Sequence, residues 1–142
     1  EVQPADVRLW GSGGPRREFL HVDDMASACL FIMNLTDEMY QTACISALNE
    51  EASLQPESGS PDVSFLNIGS GHDIAIKDLA EIIKSETGCT AQAVWDSSKP
   101  DGMPRKLLDV TRLNALGWKP EIDLRLGIRQ TYQWYLRTTE NP

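Results

Sequence analysis

Apolar residues come in short blocks along this chain, and glycine or proline separates the blocks. Val7-Arg8-Leu9-Trp10 has the two-residue period of a strand. Gly11-Ser12-Gly13-Gly14-Pro15 then reads as a turn, since glycine permits positive φ and proline cannot continue a ladder. A second short strand is predicted over Arg17–Val22. Asp23 stands where it can cap a helix starting at Asp24, along which Met25, Ala28, Cys29, Ile32, Met33 and Leu35 recur at helical spacing to about Tyr40.

The pattern lapses beyond that helix. From Thr36 to Val63 there are six acidic residues and no Lys or Arg, and the segment ends in Gln55-Pro56-Glu57-Ser58-Gly59-Ser60-Pro61. Its second half, about 49–62, is predicted to be a solvated, mobile acidic loop, with a lid or docking loop as the functional alternative. Val63–Ile68 reads as a strand, Gly69-Ser70-Gly71 as a turn and Ile74–Ile76 as a short extended piece. Lys77 or Asp78 begins a helix with Leu79, Ile82 and Ile83 on one face, closed by Gly88. Ala91–Trp95 is a further strand. Asp109 caps a short helix ended by Gly117, and a final helix is expected from about Leu124 to Thr138. Strands alternating with helices indicate an α/β fold. Because the strands are short and far apart, the expectation is a small mixed sheet with packed helices in one domain spanning residues 1–142, lacking the doubly wound dinucleotide-binding (Rossmann) sheet.

Charge limits the partners. There are 13 basic and 21 acidic residues, a net charge of −8. Bulk electrostatics therefore disfavours nucleic acid and anionic membrane, and an anion would need a local cluster drawn from Arg16, Arg17, Lys99, Arg105 and Lys106. Cys29, Cys44 and Cys89 have no metal-ligand spacing and are odd in number, which points to inert thiols in a reducing compartment. No apolar run approaches the roughly 20 residues of a membrane span. A soluble, cytoplasmic protein is expected. The opening Glu1-Val2-Gln3-Pro4, with no initiator methionine, is read as the start of a piece of something longer.

Reactive motifs are missing from the sequence. Gly11-Ser12-Gly13 and Gly69-Ser70-Gly71 both lack the third glycine of a dinucleotide fingerprint, with Arg16 and Ile74 at that position. No Gly-x-x-x-x-Gly-Lys occurs. No Tyr-x-x-x-Lys occurs either, since Tyr40, Tyr132 and Tyr135 meet Cys44, Leu136 and Thr139 four residues on. Two histidines, His21 and His72, and no Cys or His cluster argue against zinc. No catalytic, cofactor-binding or metal-ligating residue is assigned.

Binding chemistry is a different matter. Arg17 carries a planar fork suited to phosphate oxygens just after a glycine turn, or else pairs with Asp23 or Asp24. Asp101, between Pro100 and Gly102, could accept from ribose hydroxyls or form an ordinary Asx turn. Trp10, at a strand end, could stack on a base or cover a sugar, or pack in the core or at an edge. Trp95, Trp118 and Trp134 are assigned to packing, and His21 to a structural role.

These residues lie in two stretches that carry a family resemblance. Trp10-Gly11-Ser12-Gly13 with Arg17-Glu18-Phe19-Leu20-His21-Val22-Asp23-Asp24-Met25-Ala26 resembles the C-terminal region of the extended short-chain dehydrogenase/reductases that act on nucleotide sugars. Ser98-Lys99-Pro100-Asp101-Gly102-Met103-Pro104-Arg105-Lys106-Leu107-Leu108-Asp109-Val110 and Leu116-Gly117-Trp118 are most similar to family members that epimerise and reduce GDP-sugars. The resemblance covers nearly the whole chain outside about 36–62. It implies a substrate-binding domain in which Trp10 and Arg17 contact a GDP-sugar, Arg17 at the diphosphate, and Asp101 contacts the nucleotide. It also implies that NADP(H), the catalytic serine and Tyr-x-x-x-Lys, and the cysteine and histidine of epimerisation belong to a missing N-terminal domain. The complete enzyme would then be a homodimer, and this chain alone a monomer without activity. The alternatives are the same domain from an enzyme of UDP- or dTDP-sugars, or a non-catalytic nucleotide-sugar-binding module.

Overall fold

A computed structural model describes residues 6–51 and 65–140. The element order is β1 (Val7–Trp10), β2 (Arg16–Glu18), α1 (Val22–Met33), α2 (Asp37–Glu51), β3 (Asp73–Ala75), α3 (Ile76–Thr87), β4 (Ala93–Asp96), β5 (Arg105–Lys106), α4 (Thr111–Ala115) and α5 (Leu124–Glu140). The α/β class is as expected, but the strands form two small sheets instead of one. β1 pairs with β4 in parallel, with Trp10 opposite Asp96. β2 is the middle strand of the second sheet, antiparallel to β3 and parallel to β5.

Two stretches of chain thus run side by side in the same direction, 7–18 and 93–106. They pair at β1–β4, separate into loops, and pair again at β2–β5. The loops are stitched at their ends: Gly11 N–H donates to the Asp96 carbonyl at 3.0 Å, and Arg16 N–H to the Pro104 carbonyl at 2.8 Å. The first turn of α3 is anchored to the shorter loop, as Lys77 N–H donates to the Gly13 carbonyl at 2.9 Å and Ile76 N–H to that of Pro15 at 3.0 Å.

Ala28 of α1, Leu113 of α4 and Trp118 form the buried core, flanked by Leu20, Phe31, Ile32 and Ile68. The Trp118 indole N–H donates to Ser27 Oγ at 3.2 Å, so the indole is buried without an orphaned donor. Across the molecule, Glu86 of α3 accepts from Arg125 and Arg129 of α5 and holds the two helices together. Asp24 is the buried acid of α1, 4% exposed. Its carboxylate accepts the backbone N–H groups of Glu121 and Ile122 at 3.1 and 3.0 Å, which fixes the segment that leads into α5. The opposite face of α1 remains open, with Val22, Met25, Leu30 and Met33 exposed. Among the described residues no helix is long and apolar enough to cross a membrane.

Several element boundaries differ from the sequence reading. The ladder at β2 stops at Glu18, and Val22 is already helical. The cap of α1 is His21, not Asp23: the Asp23 N–H donates to His21 Nδ1 at 3.3 Å. The single helix expected to reach Tyr40 breaks after Met33, because the Thr36 hydroxyl accepts the Met39 N–H at 3.2 Å and caps a new helix. That helix takes in the first residues of the predicted acidic loop, and the remainder of the loop lies outside the described residues. Of the strand expected at Val63–Ile68, the described part, Phe65–Ile68, forms no ladder. Asn67 Nδ2 donates to the Asp109 carbonyl at 3.0 Å and Ile68 faces the core, so side chains hold this segment. Trp134 is exposed and does not pack as assigned.

Replacing Asp24 with Ala removes the acceptor of two amides and should cost about 2 kcal/mol of stability, since an unsatisfied buried donor bears its full desolvation penalty. Urea denaturation would measure this, and an unchanged midpoint would show that water replaces the carboxylate.

Candidate functional site between two parallel loops

The site lies where the paired stretches separate. On one side is the loop from Gly11 to Pro15, and on the other the segment from Ser97 to Pro104. One residue joins them. The Asp101 carboxylate accepts the Ser12 N–H through Oδ1 at 2.8 Å and the Ser12 hydroxyl through Oδ2 at 2.6 Å. Ser12 Oγ in turn accepts the Gly14 N–H at 3.0 Å. Asp101 is thus neither free nor in a local Asx turn; it is a clamp between loops distant in sequence. The Ser12 hydroxyl, and after it the Ser12 amide, holds the Asp101 carboxyl below the ordinary carboxylate range. A carboxylate offers about four lone-pair sites, so each Asp101 oxygen keeps acceptor capacity for a ligand hydroxyl.

Arg17 does not pair with Asp23 or Asp24. Its Nη1 donates to its neighbour's carbonyl, Arg16, at 2.6 Å, and to the Met103 carbonyl at 2.7 Å. Those two bonds lay the guanidinium over the second loop and leave the rest of its fork for an anion. Gly102 gives it room, because a Cβ there would sit 3.1 Å from Nη2. Trp10 is 75% exposed, so it does not pack in the core, and the Lys99 ammonium lies 5.5 Å from its ring centroid. The three residues singled out from sequence thus all meet the segment from Ser97 to Pro104: Trp10 through Lys99, Arg17 through the Met103 carbonyl, and Asp101 as part of it. Ser12 was missed as a clamp, and its only signal was a hydroxyl set between glycines.

The sheet beneath is held by charge. Asp73 of β3 accepts Arg16 of β2 at Nε, 2.8 Å, and Arg105 of β5, so one carboxylate spans all three strands. Arg105, then Arg16, lowers the Asp73 pKa below the usual carboxylate value. Glu18 works similarly at the end of β2: its carboxylate accepts the Gly71 N–H at 2.6 Å and the Leu108 N–H at 3.0 Å. Neither acid was singled out in the sequence, because nothing local marks a carboxylate whose partners lie 30 to 90 residues away.

The glycine turns are not open cradles for a dinucleotide. At Gly11 the place of a Cβ is occupied by Asp101, and at Gly13 by the Trp95 ring, 2.6 Å away. Gly69 is filled likewise by Glu18, while a Cβ at Gly71 would sit 3.1 Å from Val110. The space that glycine leaves for a pyrophosphate in a fingerprint loop is here taken up by protein. Neither turn therefore offers a fingerprint-type cradle to a nicotinamide dinucleotide. Among the described residues there is also no cluster of three or more His, Cys, Asp or Glu able to hold a metal.

Residues 1–44 match the model of the NAD dependent epimerase/dehydratase family. The GDP-L-fucose synthase of Escherichia coli (strain K12) is 46% identical over 135 residues, covering 95% of this chain and 37% of that protein. Among solved structures, a GDP-6-OMe-4-keto-L-xylo-heptose reductase from C. jejuni is 32% identical with a TM-score of 0.74, over 94% of this chain and 34% of that one. The GDP-mannoheptose C4 reductase from Campylobacter jejuni with NADP bound is also 32% identical, with a TM-score of 0.69, over 93% and 35%. The fold likeness and the sequence similarity are both to proteins that fit one class, the extended short-chain dehydrogenase/reductases. Within that class the sequence relationship over nearly the whole chain is to the GDP-L-fucose synthases. The chain spans about a third of the length of these relatives.

The low Asp73 pKa has a consequence for acid stability. A carboxyl depressed on folding contributes stability above its ordinary pKa and loses it as pH falls through the folded value. Acidification through and below the carboxylate range should therefore loosen the β3–β2–β5 sheet. Asp73→Asn should be less stable at neutral pH but flatter in its acid response, as read by thermal unfolding at stepped pH. An Asp73→Asn profile parallel to the unsubstituted one would show that other carboxyls set the acid limb.

Proposed function

We propose that this chain supplies the GDP-sugar-binding part of a GDP-L-fucose synthase. The observation that carries the reading is that Trp10, Arg17 and Asp101 all meet at the two loops, through Lys99, Met103 and Ser12, each with unused binding capacity. Arg17 offers the remainder of its fork to the diphosphate, and charge-assisted bonds of this kind are the strong ones. Asp101, ionised and fixed by Ser12, accepts from the ribose. The exposed indole of Trp10 covers the base or the sugar. The complete protein would epimerise GDP-4-keto-6-deoxy-D-mannose at C3 and C5 and reduce it at C4 with NADPH. NADP(H) would be bound by parts of that protein other than the residues described here, whose glycine turns are filled. The acids and bases of the reaction lie elsewhere too, because this sequence has no Tyr-x-x-x-Lys pair. The chain alone binds and does not catalyse; the complete enzyme is a cytoplasmic homodimer and this chain a monomer.

Calorimetric titration with GDP, UDP and dTDP tests the reading. Selective GDP binding is the expected result. Equal affinity for all three would move the assignment to the wider class of nucleotide-sugar epimerases and dehydratases, and no binding would remove the site. Arg17→Ala should weaken GDP binding about 10-fold, the worth of a hydrogen bond to a charged group, without unfolding the chain. Unchanged affinity in a folded variant would take Arg17 out of the site.

A further inference from the structure

We infer that Lys99 is a second phosphate-binding residue of this site, parked on Trp10 when no nucleotide is present. The inference rests on the GDP-sugar reading above and goes beyond it in adding a cation and a movement.

The structure sorts the five cations that the sequence offered as a cluster for an anion. Arg16 and Arg105 are both committed to Asp73, so their charge is answered within the sheet. Arg17 is fixed by the carbonyls of Arg16 and Met103 and can turn only the remainder of its fork toward a ligand. Lys106 lies in β5 opposite Arg17 in the parallel register, outside the loop that carries Asp101. Lys99 differs from all of these. It is exposed, sits two residues before Asp101, and among the ion pairs of the described residues has no carboxylate partner. Its contact is the Trp10 ring, 5.5 Å from ammonium to centroid.

That contact is easily exchanged. An exposed ammonium over an indole feels the ring quadrupole only, and it is attracted more strongly by a phosphate bearing full negative charge. The backbone of Lys99 is held, with its N–H donating to the Asp96 carbonyl at 3.2 Å, while its four-carbon stem is free to swing. A nucleotide whose base or sugar lies on Trp10 and whose diphosphate meets Arg17 must displace the ammonium from the ring. The same displacement brings the ammonium beside the diphosphate. One side chain then rests on an exposed indole in the free protein and neutralises phosphate in the complex. A diphosphate with two cations, in a chain of net charge −8, is the electrostatic arrangement that a lone arginine would not complete.

The test compares GDP with guanosine, which offers the same base and ribose without phosphate, by calorimetry on the unsubstituted chain and on Lys99→Met and Lys99→Arg. Methionine retains much of the stem and removes the charge. Lys99→Met should bind GDP about 5-fold more weakly, bind guanosine at least as well as before, and lose part of the salt dependence of GDP binding. Lys99→Arg should restore most of the GDP affinity. Equal losses for GDP and guanosine would mean that Lys99 merely props Trp10, and unchanged GDP affinity would mean that it does nothing; either overturns the inference while leaving the GDP-sugar reading in place. Absence of GDP binding by the unsubstituted chain would overturn the reading itself, and this inference with it.

Discussion

Everything at the candidate site depends on two stretches of chain running parallel, 7–18 beside 93–106. Two parallel ladders with a gap between them leave both loops facing the same way at the same level. That is a demanding arrangement, since short parallel pairs are weaker per residue than antiparallel ones and need long crossovers. Side-chain bonds at the gap reinforce them. Ser12 and Asp101 close it from within, Asp73 ties the three strands below it, and Glu18 draws in the backbone at Gly71 and Leu108. Carboxylates are the connecting element in each case. This is one use of an acidic composition that a net charge alone does not reveal.

The sequence made some of this legible and hid the rest for identifiable reasons. Helices with a clear period and a glycine stop, such as α3 with Gly88 at φ +67°, were readable to within a residue or two. Trp10, Arg17 and Asp101 were readable as candidates because each stands beside a turn whose residue types are distinctive. What could not be read was the pairing. Two strands of two or three residues, β5 and β2, carry almost no periodic signal, and β5 went unpredicted. Asp23 looked like a helix cap by residue type, yet His21 takes that place, and Asp24 faces inward to amides nearly a hundred residues on. Likewise the glycines at 11 and 13 read as flexibility for a turn. Their other function, making room for Asp101 and Trp95, depends on segments that approach only in the folded chain.

The molecule also divides its apolar surface unevenly. The buried core is small, centred on Ala28, Leu113 and Trp118, while one face of α1 leaves Val22, Leu30 and Met33 at 70%, 61% and 79% exposure. A helix whose apolar residues flank both its buried side and its open side lies between two layers in the usual architecture of packed elements. Against that background the buried Asp24 has a clear physical logic. An acid at the start of α1 interacts favourably with the helix dipole, and its two amide bonds fix the direction in which the open face points.

The clamp between Ser12 and Asp101 also bears on when the site can come into being. The two residues are separated by 89 positions. At ordinary synthesis rates of about 5–20 residues per second, Ser12 is made roughly 5–20 s before its partner exists. Throughout that interval β1 has no β4 to pair with, and Trp10 has no Lys99 to cover it. Closing so long a loop carries an entropic cost, and these ladders can assemble only after both stretches have been made. A protein built this way cannot display its binding edge on a partly formed chain, and the edge itself becomes the mark of a molecule that has finished folding.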